Sequence, residues 1–210
     1  ASEKLIELYQ NPPKNIKHPW NLQAHLLANW IYDLCISPLL LDAVEDVIGP
    51  NILIQSADIF IKPAMGKNHI NWHQDANYWG LNPYELVTGW IALTDVYKEN
   101  GCMNYLPKSH LNNKINHIET FDKNSDLTRG QEIELKIDKE KQVAVILKSG
   151  QMALHHCLLA HGSDPNYTQN YRIGIAVRYL PTHVKQTKGP PISMILVRGV
   201  DKYNYFAKDK

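Results

Sequence analysis

Asn71-Trp72-His73-Gln74-Asp75 decides how this chain is read. It follows a turn at Gly66-Lys67 and has the look of a strand end. Along a strand, side chains two residues apart point to one face. His73 and Asp75 would therefore bring an imidazole nitrogen and a carboxylate oxygen toward a common point. A His-x-Asp pair alone is weak evidence, because it arises by chance. With a second histidine it becomes one face of an octahedral metal site that keeps three positions open. That arrangement suits non-haem Fe(II), which must hold a co-substrate and O2 at once.

Outward along the chain, Leu158-Leu159-Ala160-His161-Gly162-Ser163 supplies the best third ligand, His161. Arg172 lies eleven residues beyond His161, past a turn built from Asp164-Pro165-Asn166 and Thr168-Gln169-Asn170. A hairpin of that size would return the arginine beside the histidine strand. A guanidinium there can grip a carboxylate through two parallel hydrogen bonds. An iron chelated by a 2-oxo acid needs such an anchor at the acid's far end. Ser163 offers a hydroxyl to the same carboxylate.

The β signal continues on both sides. Ile52–Lys62, Leu86–Val96, Gln142–Leu147 and Tyr171–Tyr179 are rich in β-branched residues. Turn signals at Pro63–Lys67, Asn82-Pro83, Glu99-Asn100-Gly101, Ser149-Gly150 and Asp164–Asn170 separate them. Many short strands broken in this way indicate an antiparallel sandwich or barrel. His110–Gly130 is polar and long for a plain connection, so it reads as a lid or a mobile loop. Before residue 50 the period changes. Leu22, Leu26, Leu27, Trp30, Ile31 and Leu34 recur at helical spacing over 21–36. Ser37-Pro38 then starts a second helix and Gly49-Pro50 stops it, with Leu40, Leu41, Val44, Val47 and Ile48 as its apolar stripe. The expected fold is mainly β: one domain over 1–210, with a helical layer over 1–49 packed outside a jelly-roll core over 50–200.

Bulk composition closes off several classes. Hydrophobic residues make up 44% and charged residues 20%, ordinary values for a globular chain of 210 residues. The net charge is +1, without the basic excess of a nucleic-acid binder. No apolar run is long enough for a membrane span. The start, Ala1-Ser2-Glu3-Lys4, lacks a signal-peptide pattern, so a cytoplasmic location is expected. Cys35, Cys102 and Cys157 are too few and too scattered for a disulfide framework and are expected to be buried thiols.

Four blocks carry a family resemblance. They are Trp72-His73-Gln74-Asp75; Gly89-Trp90-Ile91-Ala92-Leu93; Asn100-Gly101-Cys102-Met103 with Leu106-Pro107-Lys108-Ser109-His110; and His161-Gly162-Ser163 through Asn166 to Arg172. In this order, over about residues 50–180, the chain resembles the phytanoyl-CoA dioxygenase family of Fe(II)/2-oxoglutarate oxygenases. The resemblance implies a double-stranded β-helix, cupin-like, with iron at the open end of the barrel. It implies that His73, Asp75 and His161 are the catalytic metal triad and that Arg172 and Ser163 bind the distal carboxylate of 2-oxoglutarate. Trp90 matches a tryptophan lining the co-substrate site, and Gln55 matches a glutamine of a glutamine-serine pair found in part of the family. The implied reaction consumes O2 and 2-oxoglutarate, releases succinate and CO2, and hydroxylates an unactivated C–H bond of a small molecule. Asp75 speaks against halogenation, because the related halogenases lack that carboxylate; desaturation, ring formation and epimerisation stay open.

Other residues could shape the substrate site. Asn77, Tyr78 and Trp79 follow the metal motif directly, with rim packing as the plainer role. Asn104 and Tyr105 could face the cavity. Arg178 shares strand parity with Arg172; it either faces inward, toward an anionic substrate group, or makes an outer salt bridge. His155 and His156 are adjacent, so one faces the cavity and neither is needed as a ligand; His110 is expected to cap a turn. The chain is expected to act on a small molecule as a monomer or homodimer, without a nucleic-acid or membrane partner. Competing readings are a zinc or manganese hydrolase or isomerase on a cupin-like barrel, a non-catalytic small-molecule-binding module, and an interaction protein. The hydrolase gives Arg172 no task.

Overall fold

A computed structural model describes residues 2–12, 23–127, 129–189 and 191–208. Its helices are α1 (Ser2–Gln10), α2 (Ala24–Leu27), α3 (Asn29–Cys35), α4 (Pro38–Ile48) and α5 (Ala76–Trp79). The first strands are β1 (Ile52–Lys62), β2 (Ile70–His73), β3 (Leu81–Asn82), β4 (Val87–Ala92) and β5 (Met103–Tyr105). Then come β6 (His117–Glu119), β7 (Gln131–Ile133), β8 (Val143–Ala144), β9 (Met152–His156) and β10 (His161–Ser163). The last are β11 (Arg172–Pro181), β12 (Lys185–Gln186), β13 (Ser193–Arg198) and β14 (Ala207–Lys208).

The architecture is mainly β, as expected. A six-stranded sheet runs β14-β13-β1-β11-β4-β9, and a four-stranded sheet runs β2-β10-β5-β8. Only the β13–β14 pair is parallel among the described strands. β11 is central, and all ten of its residues are buried. One of its faces, Ile173, Ile175, Val177 and Tyr179, packs with Ile31, Cys35, Leu40 and Val44 of the helical layer. The Tyr179 hydroxyl donates to the Cys35 carbonyl at 2.7 Å and ties the layers together. Each such fully buried aliphatic side chain contributes roughly 1.5–3 kcal/mol. The other face of β11 looks toward the four-stranded sheet, and a cavity lies between.

A bulge in β1 between Ile54 and Ser56 shifts its register against β11. Beyond it, Ala57 and Ile59 join the helix-facing core, and Ser56, Asp58, Phe60 and Lys62 take the cavity face.

Several expectations are corrected. The helix expected over 21–36 breaks at Ala28, which is extended (φ −142°, ψ 115°). The break resets the helical phase, so spacing counted across it does not describe one face. Ala24, His25, Ile31 and Cys35 are buried, whereas Leu26, Leu27 and Trp30 are exposed; Leu22 lies outside the described residues. α4 starts and stops as read, but Val47 is exposed. The strand expected over 142–147 is only β8, with a lone bridge from Leu147 to Val96. His110–Gly130 is not a free lid: β6 pairs with β7, and Ser125 bridges His69. Among the described residues no helix is long and apolar enough to cross a membrane, and all three cysteines are free and buried.

Candidate active site

β2 ends at His73, and the chain then turns into α5. Asp75 is already helical (φ −54°, ψ −38°), so strand parity is not what aligns it with His73. The turn still swings its carboxylate under the imidazole, with Oδ1 3.5 Å from His73 Nε2. His161, on β10, stands directly opposite His73 in the antiparallel register. Their rings lie 4.2 Å apart, and His161 Nε2 is 3.9 Å from Asp75 Oδ1. One donor atom from each residue falls within 4.8 Å of the others, and all three residues are buried.

The donors are prepared chemically. His73 Nδ1 contacts the Asn71 carbonyl and His161 Nδ1 the Leu159 carbonyl, both at 2.9 Å. A carbonyl only accepts, so each Nδ1 carries the proton and each Nε2 lone pair is free toward Asp75. Burial, reinforced by His73 and His155, pushes His161 well below the usual imidazole range, so it is neutral. Burial alone would raise Asp75, but His155 above all outweighs it and the carboxyl is held well below its usual range. Asp75 is therefore ionised.

The second oxygen of Asp75 has its own support. The Thr88 hydroxyl donates to Oδ2 at 2.8 Å. His155 Nε2 lies 3.4 Å from Oδ2, long for a hydrogen bond, while its Nδ1 meets the Tyr105 hydroxyl at 2.9 Å. Burial and Asp75 both raise the Tyr105 pKa, so the hydroxyl keeps its proton. The ionised Asp75 only accepts, so a proton on His155 Nε2 faces it, and Nδ1 then takes the hydrogen bond of the Tyr105 hydroxyl.

Arg172 opens β11. The expected hairpin from His161 does not form: β10 belongs to the small sheet and β11 to the large one, so the intervening turn crosses the cavity edge. The crossing still brings Arg172 to the cavity that the metal donors line. Its guanidinium stacks 4.8 Å from the Trp90 ring centroid and gives one Nη2 bond of 2.8 Å to the Gly101 carbonyl. Its Nε is buried without a partner among the described residues. Burial lowers its pKa to about 10, so it stays charged at neutral pH.

Lys62, which sequence reading missed, pairs with Arg172 across β1 and β11. Its ammonium donates to Ser163 Oγ at 2.7 Å and to the Asp164 carbonyl. Burial first, then Arg172, pulls its pKa down to about 7. A lone lysine on the inward face of a strand was the available signal. Thr88 and His155 were also missed as carboxylate supports, since a single Thr or His in a strand signals little.

The cavity measures about 300 Å³. Its lining includes the metal donors, Trp90, Ser163 and Arg172, and also Asp58, Phe60, Tyr78, Trp79 and Arg178. Three expected residues lie elsewhere. Asn77 lines a separate hollow with Gly80 and Thr187. Asn104 pairs with Gly162 and opens toward hollows it shares with Lys139 and Gln142. Gln55 is buried in the β1 bulge, off the cavity. Of the histidine pair, His155 turns to the cavity, and His156 accepts from the Leu158 amide at 3.1 Å. His110 stands in a short 3-10 turn with its ring 5.7 Å from that of His156.

Known proteins resemble this chain in sequence and in fold. The family model described as phytanoyl-CoA dioxygenase (PhyH) matches residues 9–174. The human peroxisomal phytanoyl-CoA dioxygenase is 28% identical over 153 residues, covering 71% of this chain and 45% of its own length. A probable alpha-ketoglutarate-dependent hypophosphite dioxygenase of Stutzerimonas stutzeri is 29% identical over 181 residues, 84% of this chain and 57% of its own length. The chain thus spans about half the length of the curated relatives it matches. Among solved structures, the apo form of the non-heme monooxygenase ThoJ superposes with a TM-score of 0.86 at 34% identity, covering 100% of this chain and 76% of ThoJ.

Proposed function

The chain belongs to the phytanoyl-CoA dioxygenase family, and from that premise we propose that it is a non-haem Fe(II)- and 2-oxoglutarate-dependent oxygenase. The proposed reaction is hydroxylation of a C–H bond in a small molecule. The observation that carries the reading is one cavity holding three ready metal donors and an under-satisfied guanidinium.

The donor set fits Fe(II): two neutral imidazoles and one carboxylate on one side leave the opposite positions for ligands. With both bound, iron and 2-oxoglutarate supply the oxidising power: O2 is consumed, the oxo acid leaves as succinate and CO2, and the substrate gains oxygen. The protein's part is placement. His73 Nε2, His161 Nε2 and Asp75 Oδ1 would hold the metal. Thr88 holds Oδ2 back, so Asp75 offers one oxygen rather than two. Arg172 and Ser163 would receive the distal carboxylate of the oxo acid, with Lys62 adding charge behind Ser163. The Trp90 ring fixes the guanidinium plane. Phe60, Tyr78 and Trp79 wall the remaining space and exclude water from it.

The test is succinate formation in the presence of Fe(II), 2-oxoglutarate and O2. Arg172→Met removes charged hydrogen bonds worth roughly 1.5–3 kcal/mol each, so KM for 2-oxoglutarate should rise about 10- to 100-fold while Fe(II) affinity holds. Succinate formation indifferent to this substitution would contradict the assignment.

A further inference from the structure

β11 carries an arginine at each end of its cavity face. Arg172, Gly174, Ala176 and Arg178 alternate with the helix-facing Ile173, Ile175 and Val177. The two arginines are six residue steps apart along the strand, or about 20 Å. Between them on that face stand only Gly174, against which the Trp90 ring packs, and Ala176. Arg172 has a task in the proposed function; Arg178 does not.

Arg178 is 8% exposed and lines the cavity. Its guanidinium lies 6.0 Å from the Phe60 ring and 5.6 Å from the Trp79 ring. Every polar contact it makes falls on one nitrogen. Nη1 donates to the Asp58 carboxylate, and reaches Ser56 Oγ and the Ala176 carbonyl at 3.4 Å each. Nε is buried without a partner, and no hydrogen bond reaches Nη2 among the described residues. Nε and Nη2 form the edge of a guanidinium that takes a carboxylate at two points. A pair built for structure alone would not leave that edge bare, because a buried donor without a partner costs about 1–3 kcal/mol. Asp58 shows the same asymmetry: Oδ2 takes Arg178, and Oδ1 receives no hydrogen bond among the described residues. Its side chain is 23% exposed and lines the same cavity.

The register fixes where this edge sits. Arg178 is opposite Thr88, and Thr88 is opposite His155. Thr88 is the residue that holds Asp75. The backbones of Arg178 and Thr88 are therefore one strand spacing apart, about 5 Å, and both side chains line the cavity of the metal donors, at the end of the strands away from Arg172. A cavity of about 300 Å³ that must also admit 2-oxoglutarate leaves room for a small reacting unit.

We propose that Arg178 anchors the substrate through a carboxylate and that Asp58 receives an adjacent ammonium or N–H, so that the substrate presents an amino-acid unit and is oxidised near it. This rests on the oxygenase reading above and adds the substrate class to it.

The experiment uses the whole chain with Fe(II), 2-oxoglutarate and a panel of free amino acids, each beside its carboxamide and its 2-hydroxy acid. Complex formation between Fe(II) and 2-oxoglutarate is checked first, without panel members. Substrate-stimulated succinate release and calorimetric binding are then read for wild type, Arg178→Met and Asp58→Asn. The proposal expects at least one amino acid to stimulate release with its carboxamide 10-fold or more weaker. In Arg178→Met that acid-over-amide preference disappears, and apparent substrate affinity falls 10-fold or more. In Asp58→Asn the preference for acid over amide stays, and the preference for amino over hydroxy acid goes. A panel in which no acid outperforms its amide, or an Arg178→Met enzyme that keeps the preference, overturns the proposal. A wild type that forms no Fe(II)–2-oxoglutarate complex sinks the oxygenase reading itself, and this proposal with it.

Discussion

At the scale of single residues, the site is a set of fixed protons. Carbonyls two residues upstream set the tautomers of His73 and His161, and the Asp75 carboxylate sets that of His155. Outer partners of this kind change metal affinity about 10- to 100-fold when removed. His155→Phe should therefore weaken Fe(II) or Ni(II) binding by about that factor. His155→Gln, whose amide can donate to Asp75 and accept from Tyr105, should recover most of it in titration calorimetry. Equal loss in both variants would make His155 a ligand instead. Lys62 gives a prediction in pH. Its pKa falls from 10.5 to about 7, burial first and Arg172 second. Above about pH 7 the folded state holds fewer protons than the unfolded chain, so stability should rise from there toward 9, where unfolded thiols begin to titrate. Urea midpoints for Lys62→Met should lose that rise. The types of the metal donors were legible in sequence because few other chemistries want His, Asp, His and a distant Arg together. Lys62 and Thr88 were not, since their meaning comes from strands that are far apart in the chain.

At the scale of elements, β11 carries two cavity arginines, Arg172 and Arg178, on one face and the core residues Ile173, Ile175, Val177 and Tyr179 on the other. It tolerates little added volume. A Cβ on Gly174 would come within 2.1 Å of the Trp90 ring, the ring that supports Arg172. Gly174→Ala should cost about 1–3 kcal/mol by overpacking, and it should also weaken 2-oxoglutarate binding by displacing the ring. A variant as stable as wild type, with unchanged affinity, would show that Trp90 has slack. Sequence pattern found β1 with its full bounds and α4 with both ends, because a continuous apolar run and a Ser-Pro start are local signals. It missed the break at Ala28, where nothing local marks a change of phase. It joined β10 to β11 as a hairpin because loop length fixes distance but not which sheet receives the returning strand.

At the scale of the whole molecule, a six-stranded and a four-stranded sheet close on one cavity, and a helical layer backs the larger sheet. The layers meet at the metal donors, since His161 and His73 lie in the small sheet and Arg172 in the large one. Ligands that bridge the two sheets should stabilise the fold as a unit. At a concentration 100 times its Kd a bound ligand adds about 2.7 kcal/mol, which for a chain of this length raises Tm by about 5–10 °C. Calorimetry should show one increment for the metal and a second for 2-oxoglutarate, with only the second lost in Arg172→Met. The mainly β plan was readable from strand spacing; the facing of the two sheets was not, because it depends on long-range register.

The central claim is that His73, Asp75 and His161 hold Fe(II) while Arg172 holds 2-oxoglutarate against it. The most direct measurement is anaerobic: Fe(II) and 2-oxoglutarate are added to the protein and the visible charge-transfer band of the chelate is recorded. The account predicts a band in wild type, its weakening in Arg172→Ala at limiting 2-oxoglutarate, and loss of affinity for the metal in Asp75→Ala. No band in wild type, with tight zinc retained instead, would contradict it.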